Sequence, residues 1–188
     1  MPTRETRSIS VENLVKRSDP KNVKHNRIEI SSTFQRGDEE TGVWNKKEKI
    51  KFLDSMLKSF PVGLITLVIV YIKNVMRTFV LDGGNRMRTL RDILIDELEP
   101  DDGVVFSNWD ADKKARFKTL SMPVEVVTLE EHEPKHLICD MFSALNTSSK
   151  KLTQGELIKA LGFLNNYPRI ELAKQLSESL GLSIIEWN

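Results

Sequence analysis

Cysteine is nearly absent from this chain of 188 residues, and the single one, Cys139, has no second thiol for an intramolecular disulfide. No cysteine and histidine stand at zinc-ligand spacing, which argues against a structural metal and for a reducing, cytoplasmic setting. A charge of one sign is missing as well. The 28 Lys+Arg residues against 27 Asp+Glu leave a formal net charge of +1, so no global field draws the chain to DNA or to an anionic membrane, and any nucleic-acid contact has to be local. Long apolar runs are lacking too: the longest, Leu64 to Ile72, is interrupted by Thr66 and falls well short of a membrane span of ~20 residues. The N-terminus is charged from Arg4 to Arg7 and has no apolar h-region, so no secretory signal is expected. Nothing matches glycine, four residues, then Gly-Lys-Ser/Thr, which excludes an ordinary Walker ATPase, and a G-x-G-x-x-G run is also missing.

What is present suffices for one well-buried core, with 39% hydrophobic residues in 21.6 kDa. A single domain over 1–188 is expected, with its core at about 28–160 and a helical segment at 161–188. Ser10 ahead of Val11-Glu12-Asn13-Leu14-Val15 predicts a short helix, followed by a polar loop from Arg17 to Asn26. Ile28 and Ile30 alternate with charged neighbours and predict a short strand leading into Phe34-Gln35-Arg36. Asn45 is a plausible N-cap for a helix carrying Ile50, Leu53 and Leu57 beside Phe52 and Met56, with its lysines mostly on the other face; Phe60-Pro61-Val62-Gly63 ends it. Leu64 to Tyr71 reads as a strand buried on both faces, Lys73-Asn74 as a turn, and Thr78 to Leu81 as its hairpin partner. Met87, Leu90 and Leu94 then share one helical face. Phe106 to Trp109 is loop-like, Ala111 to Leu120 helical, and Val124 to Val127 a third strand. Leu137, Met141 and Leu145 mark a helix, the capping box from Thr153 to Glu156 opens another, and Ile170 to Leu180 before Gly181 is a third. Strands mixed with helices, then a helical tail, make the class α+β.

The strongest local signal is Asp82-Gly83-Gly84-Asn85-Arg86, where two glycines sit between a strand and a helix. Glycine accepts φ > 0 and lets backbone N–H groups approach a phosphate, the helix N-terminus adds donors and partial positive charge, and Arg86 or Arg88 adds a guanidinium clamp. The competing structural reading makes Asp82 a helix cap and the glycines turn punctuation. Phe34-Gln35-Arg36 offers an aromatic, an amide and a guanidinium in a row, though alone it reads equally as a buried ring with two solvated neighbours. Lys46, Lys47, Lys49 and Lys51 form a local basic cluster suited to DNA phosphates, or simply the solvated side of their helix. His25, His132 and His136 pair with no serine or cysteine in a nucleophile motif, and Cys139 reads as a small apolar residue on its helix.

Taken in order, Phe34-Gln35-Arg36, Trp44 at a helix start, the stretch Leu53 to Gly63, then Leu81-Asp82-Gly83-Gly84-Asn85-Arg86 with Thr89-Leu90 resemble one family. Leu145-Asn146-Thr147 and Lys151-Leu152-Thr153 with Glu156-Leu157 continue the likeness. The pattern resembles the Phe-Gln-Arg/Asp-Gly-Gln-Gln-Arg branch of the ParB/sulfiredoxin superfamily, found in nucleotide-dependent restriction proteins, from about Ile28 to Ala160. In length and fold type the chain also resembles that superfamily's small plasmid fertility-inhibition proteins, the oncogenic-suppression kind. Two departures stand out: Gly84-Asn85 replaces Gln-Gln, and Gly37 to Val43 lengthens the link to Trp44, bringing Asp38, Glu39 and Glu40 near the site as metal ligands or as a solvated acidic loop. Sulfiredoxin's Gly-Cys-His-Arg segment is missing, which disfavours thiol repair.

The resemblance implies a ParB/sulfiredoxin-like small mixed sheet with packed helices. It further implies a cytoplasmic hydrolase, a nucleoside triphosphatase and metal-dependent DNase acting on foreign or transferred DNA. The implied catalytic residues are Arg36, Asp82, Asn85 and Arg86. Gln35, Gly83, Gly84, Thr89 and Asn146 are implied for the nucleotide, and Lys46, Lys47 and Lys49 are the expected DNA contacts. ATP or another nucleoside triphosphate and Mg²⁺ or another divalent cation, with Asp82 as metal ligand, are the implied cofactors. Nucleotide, DNA and a transfer or secretion component are the implied partners. A non-catalytic, nucleotide-gated module binding DNA or protein is the alternative.

Overall fold

A computed structural model describes residues 2–22, 27–31, 42–72, 75–130 and 136–145. The chain divides into two compact units, Met1–Glu131 and His132–Asn188. In the first unit, the central strand β3 (Ile65–Ile72) runs antiparallel to β4 (Val75–Asp82) and parallel to β5 (Ser121–Thr128). β5 is flanked antiparallel by β1 (Thr3–Ser10), and β4 parallel by the short β2 (Ile28–Glu29), giving the order β1-β5-β3-β4-β2. The fold class is α+β with a mixed sheet, as expected.

One face of the sheet, including Ile65, Leu67, Val80, Val124 and Val126, belongs to a single apolar cluster with the helices of this unit. Those helices are α1 (Val11–Ser18), α2 (Lys46–Leu57), α3 (Gly84–Leu94) and α4 (Ala111–Thr119). Val11 and Leu14 come from α1, Phe52, Leu53 and Met56 from α2, Met87, Leu90 and Ile93 from α3, and Phe117 from α4. Val68, Val70, Phe79 and Leu81, on the opposite face or beside it, are buried as well. The expected two-sided burial of β3 follows from its place at the centre of the sheet.

The helix starts follow elementary capping. Ser10 caps α1 through Asn13 N–H. At α2, Asn45 accepts from Glu48 N–H at 3.0 Å while the Glu48 carboxylate accepts from Asn45 N–H at 2.7 Å, a reciprocal capping box. Asp110 caps α4 through Lys113 N–H at 2.7 Å. Phe106–Asn108, expected as loop, forms a 3-10 turn, because Trp109 packs edge-on to Phe106 and Phe117 and anchors its indole N–H on the Val104 carbonyl at 3.0 Å. β1 is an addition to the expected elements.

In the second unit the described residues form α5 (His136–Leu145), the expected Leu137-Met141-Leu145 helix. The helices expected from Thr153 and from Ile170, and the Lys73-Asn74 turn, lie outside the described residues.

Candidate functional site

β4 delivers the chain into Gly83, and α3 begins at the next residue, so the expected order of strand, glycine turn and helix is present. Gly83 is the N-cap, at φ 93 and ψ 13, and no side chain caps the helix. Asp82 is therefore not the cap. A Cβ at Gly83 would stand 3.0 Å from Ile65 Cγ1, 3.1 Å from Arg86 Nη1 and 3.2 Å from the Ile65 Cα, besides occupying a left-handed conformation that side chains disfavour. Glycine is required here on both counts. With no side-chain cap, the first-turn amides of α3 keep the positive end of the helix dipole undiluted by a capping oxygen.

Arg86 organises the surroundings of this turn. Its Nη1 donates to the Leu64 carbonyl at 2.9 Å and to Asp82 Oδ2 at 3.3 Å. Its guanidinium lies against Gly63, where a Cβ would meet Nη2 at 3.0 Å and Cζ at 3.4 Å. Gly63 also sits at φ 74, so the loop between α2 and β3 passes the guanidinium only because two side chains are missing, at 63 and at 83. Of the five donors of a guanidinium, those on Nε and Nη2 meet no acceptor among the described residues. Asp82 keeps 44% of its side-chain exposure and Arg86 22%, which leaves both within reach of a bound molecule.

Asn85 faces the chain that enters α2. Its Oδ1 accepts from Val43 N–H at 3.0 Å, and Gly42 lies against both the Asn85 amide and the Arg88 guanidinium. Arg88, the largest fully buried side chain, is thus built in beside the turn. Thr89 is buried, with its hydroxyl donating to the Asn85 carbonyl at 2.8 Å, so it faces the helix backbone. Gln35, Arg36, Asn146 and the acidic residues Asp38, Glu39 and Glu40 lie outside the described residues. Gly42 and Val43 mark where the chain following Phe34-Gln35-Arg36 rejoins the described structure, and they do so on the first turn of α3.

Strand register adds residues that composition and motif did not single out. Thr6, Glu125, Thr66 and Asp82 stand level across β1, β5, β3 and β4, and directly paired residues point to one face of a sheet. A bulge between Thr66 and Leu67 breaks the β3–β4 register just before Asp82 and re-aims that carboxylate. Glu125 is buried and ion-paired with Arg4. A β-bulge and a strand register cannot be read from residue types, so nothing in the sequence singles out Glu125. Among the described residues no group of three His, Cys, Asp or Glu could hold a metal ion. Asp82 is the carboxylate at the turn, ion-paired with Arg86, and a divalent cation there would need phosphate oxygens and water to complete its coordination.

The lysines divide. Lys46 and Lys47 open α2 and are exposed, whereas Lys49 bonds Asp92 Oδ2 on α3 at 2.7 Å, with side chains 15% and 7% exposed. Arg91 Nη2 reaches the other oxygen of Asp92 at 3.2 Å.

The model of one family, described as the GmrSD restriction endonuclease N-terminal domain, matches residues 21–163, well over half of the chain and enclosing both the glycine turn and the basic start of α2. The chain belongs to that family. Neither the curated proteins nor the solved structures give a match. The restriction-type part of the resemblance drawn from the motifs is thus shown, while the match does not speak to the wider ParB/sulfiredoxin superfamily or to fertility inhibition. The matched region encloses a turn whose helix start has no side-chain cap and has an arginine folded beside it, features that suit an anion. Among the described residues no helix is long and apolar enough to cross a membrane.

Proposed function

We propose that this GmrSD-type domain binds and hydrolyses a nucleoside triphosphate at the Gly83-Gly84 turn and that its hydrolysis serves cleavage of foreign DNA in the cytoplasm. The observation that carries the reading is the uncapped start of α3 with Arg86 folded beside it. The first-turn amides and the free edge of the Arg86 guanidinium hold the phosphates, and their fixed positions stabilise charge that develops on the transferred phosphoryl group. Asp82, re-aimed by the bulge and paired with Arg86, orients that guanidinium. Asn85 ties down the returning chain at Val43, and the motif resemblance assigns Gln35 to the nucleotide and Arg36 to the developing charge. The family name supplies the DNA-cleaving context, and Lys46 and Lys47 are the DNA contacts of this proposal. Asp82 is the residue that would hold a divalent ion, which would neutralise further charge on the phosphates.

Phosphate release from ATP and other triphosphates, measured with Mg²⁺ present, tests this. Arg86→Ala lowers the rate by roughly 10²-fold or more if the side chain meets transition-state charge. Because Arg86 also holds Leu64, Arg86→Lys and the unfolding midpoint of both variants are measured alongside. Equal rates in all three proteins remove Arg86 from the mechanism.

One observation favours a second reading, a non-catalytic nucleotide-gated module. Arg86 Nη1 is bonded both to the Asp82 carboxylate and to the Leu64 carbonyl, an arrangement that suits a switch broken by nucleotide as well as it suits catalysis. Tight nucleotide binding without any phosphate release selects that reading.

A further inference from the structure

The loop joining α2 to β3 carries exposed apolar residues, and its Gly63-Leu64 end lies against Arg86. Phe60 is 59% exposed and Leu64 40% exposed, with Pro61 exposed between them. This loop is held at both ends. At its start, Phe60 N–H bonds the Ser55 carbonyl at 2.8 Å and Ser59 N–H bonds the Met56 carbonyl at 3.0 Å, the two bonds of a Schellman helix end. At its finish, the Leu64 carbonyl accepts from Arg86 Nη1 at 2.9 Å.

In a Schellman end the residue in the position of Phe60 ordinarily packs on the residue in the position of Ser55. Serine offers no apolar surface there, so the ring is turned out to solvent. The turn itself is made by Ser59 at φ 57, a left-handed conformation that costs a non-glycine residue stability. An aromatic left exposed by a strained but doubly anchored loop is preorganised for a ligand, because the loop's ordering entropy is already spent before binding. The neighbouring chemistry says which ligand: the guanidinium that fixes the loop belongs to the same residue that flanks the phosphate-suited turn.

We propose that Phe60, exposed on the loop that Arg86 anchors at Leu64, is the platform on which the base of the nucleotide stacks. This rests on the proposed function, since the phosphates of that nucleotide are the ones held at the Gly83 turn. A ring face accepts any base, so the platform contributes affinity for nucleosides over bare phosphate more than it selects one base.

Equilibrium binding of ATP and of inorganic tripolyphosphate, by titration calorimetry on the full chain, tests the assignment. Phe60→Ala weakens ATP binding roughly 5- to 150-fold, in line with base–aromatic stacking elsewhere, and leaves tripolyphosphate binding unchanged. Phe60→Trp keeps ATP affinity near the parent's and adds a fluorescence component that ATP quenches and tripolyphosphate does not. An unchanged ATP affinity in Phe60→Ala overturns the platform, and so does an equal loss for both ligands, which would mark a structural role. A parent chain that binds tripolyphosphate as tightly as ATP overturns the platform and spares the phosphate turn. A parent chain that binds neither overturns the proposed function with it. Loss of DNA binding at unchanged ATP affinity assigns the ring to DNA and likewise overturns the proposal.

Discussion

Ser59 and Asp96 are the two non-glycine residues at positive φ among those described, at 57° and 61°, and each ends a helix in the same way. At Asp96 the conformation is supported from outside the helix, for its carboxylate accepts from Ser107 N–H at 2.8 Å and so holds the 3-10 turn. Ser59 has no such bond in the described structure. Ser59→Gly therefore relieves the Cβ crowding at little loss and stabilises the fold by about 0.5–1 kcal/mol, whereas Asp96→Gly forfeits its hydrogen bond and gives no gain. Urea midpoints of the two variants decide this, and a stabilising Asp96→Gly would contradict it. Gly83 is the opposite case. Gly83→Ala meets Ile65 at 3.0 Å and keeps the left-handed φ, so it destabilises by about 1–3 kcal/mol and displaces the start of α3. The motif's glycines were legible in the sequence as a pair, but their division of labour was not: Gly83 takes the positive φ and Gly84 is the first helical residue.

α2 and α3 are joined by more than apolar packing. Lys49, on the fourth residue of α2, reaches a mostly buried Asp92, which Arg91 shares. Removing one partner of a buried pair leaves the other charge uncompensated, which costs about 3–5 kcal/mol in the absence of other partners; Arg91 stands in here, so Lys49→Met is expected to cost about 1–3 kcal/mol. In the double-mutant cycle with Asp92→Asn, the second substitution should recover part of that loss. Additive losses would show that the pair is not coupled. This pair also marks where sequence reading stops. Apolar periodicity found α2, α3, β3 and β4 because each buries a regular set of side chains, and Asn45 was a legible cap. A lysine's destination depends on what the neighbouring helix presents, and nothing local distinguishes Lys49 from Lys47. β1 was illegible for a related reason: it is an edge strand with most of its residues exposed, so the alternation that announces a half-buried strand is absent. β5 was legible only from Val124 on. Its first residues pair β1 alone, and β3 joins at Val124, one residue past Pro123. The proline's missing N–H thus falls where β3 is not paired.

Across the whole molecule positive and negative charge nearly cancel, with a net of +1, so the DNA contact proposed for this restriction-type domain has to come from a patch. Lys46 and Lys47 supply one at an unfavourable place. They occupy the first two positions of α2, where the helix dipole is positive and a cation costs about 0.3–1 kcal/mol at an exposed site. Local rules broken without local gain are expected at functional positions. The same electrostatics makes the test clean. Lys46→Glu and Lys47→Glu place acids at the helix N-terminus, where they favour the helix, so a loss of DNA binding cannot be put down to unfolding. Lys49 is left untouched because its reversal would set a glutamate against Asp92 and destabilise the fold. The expected result for the double reversal is an unchanged or higher unfolding midpoint, unchanged phosphate release, and DNA binding or nicking that drops to background. The parent's DNA affinity should fall with salt with a slope of only a few ions, since a small patch neutralises only a few phosphates. DNA activity that survives the reversal at parental level moves the nucleic-acid face away from the start of α2.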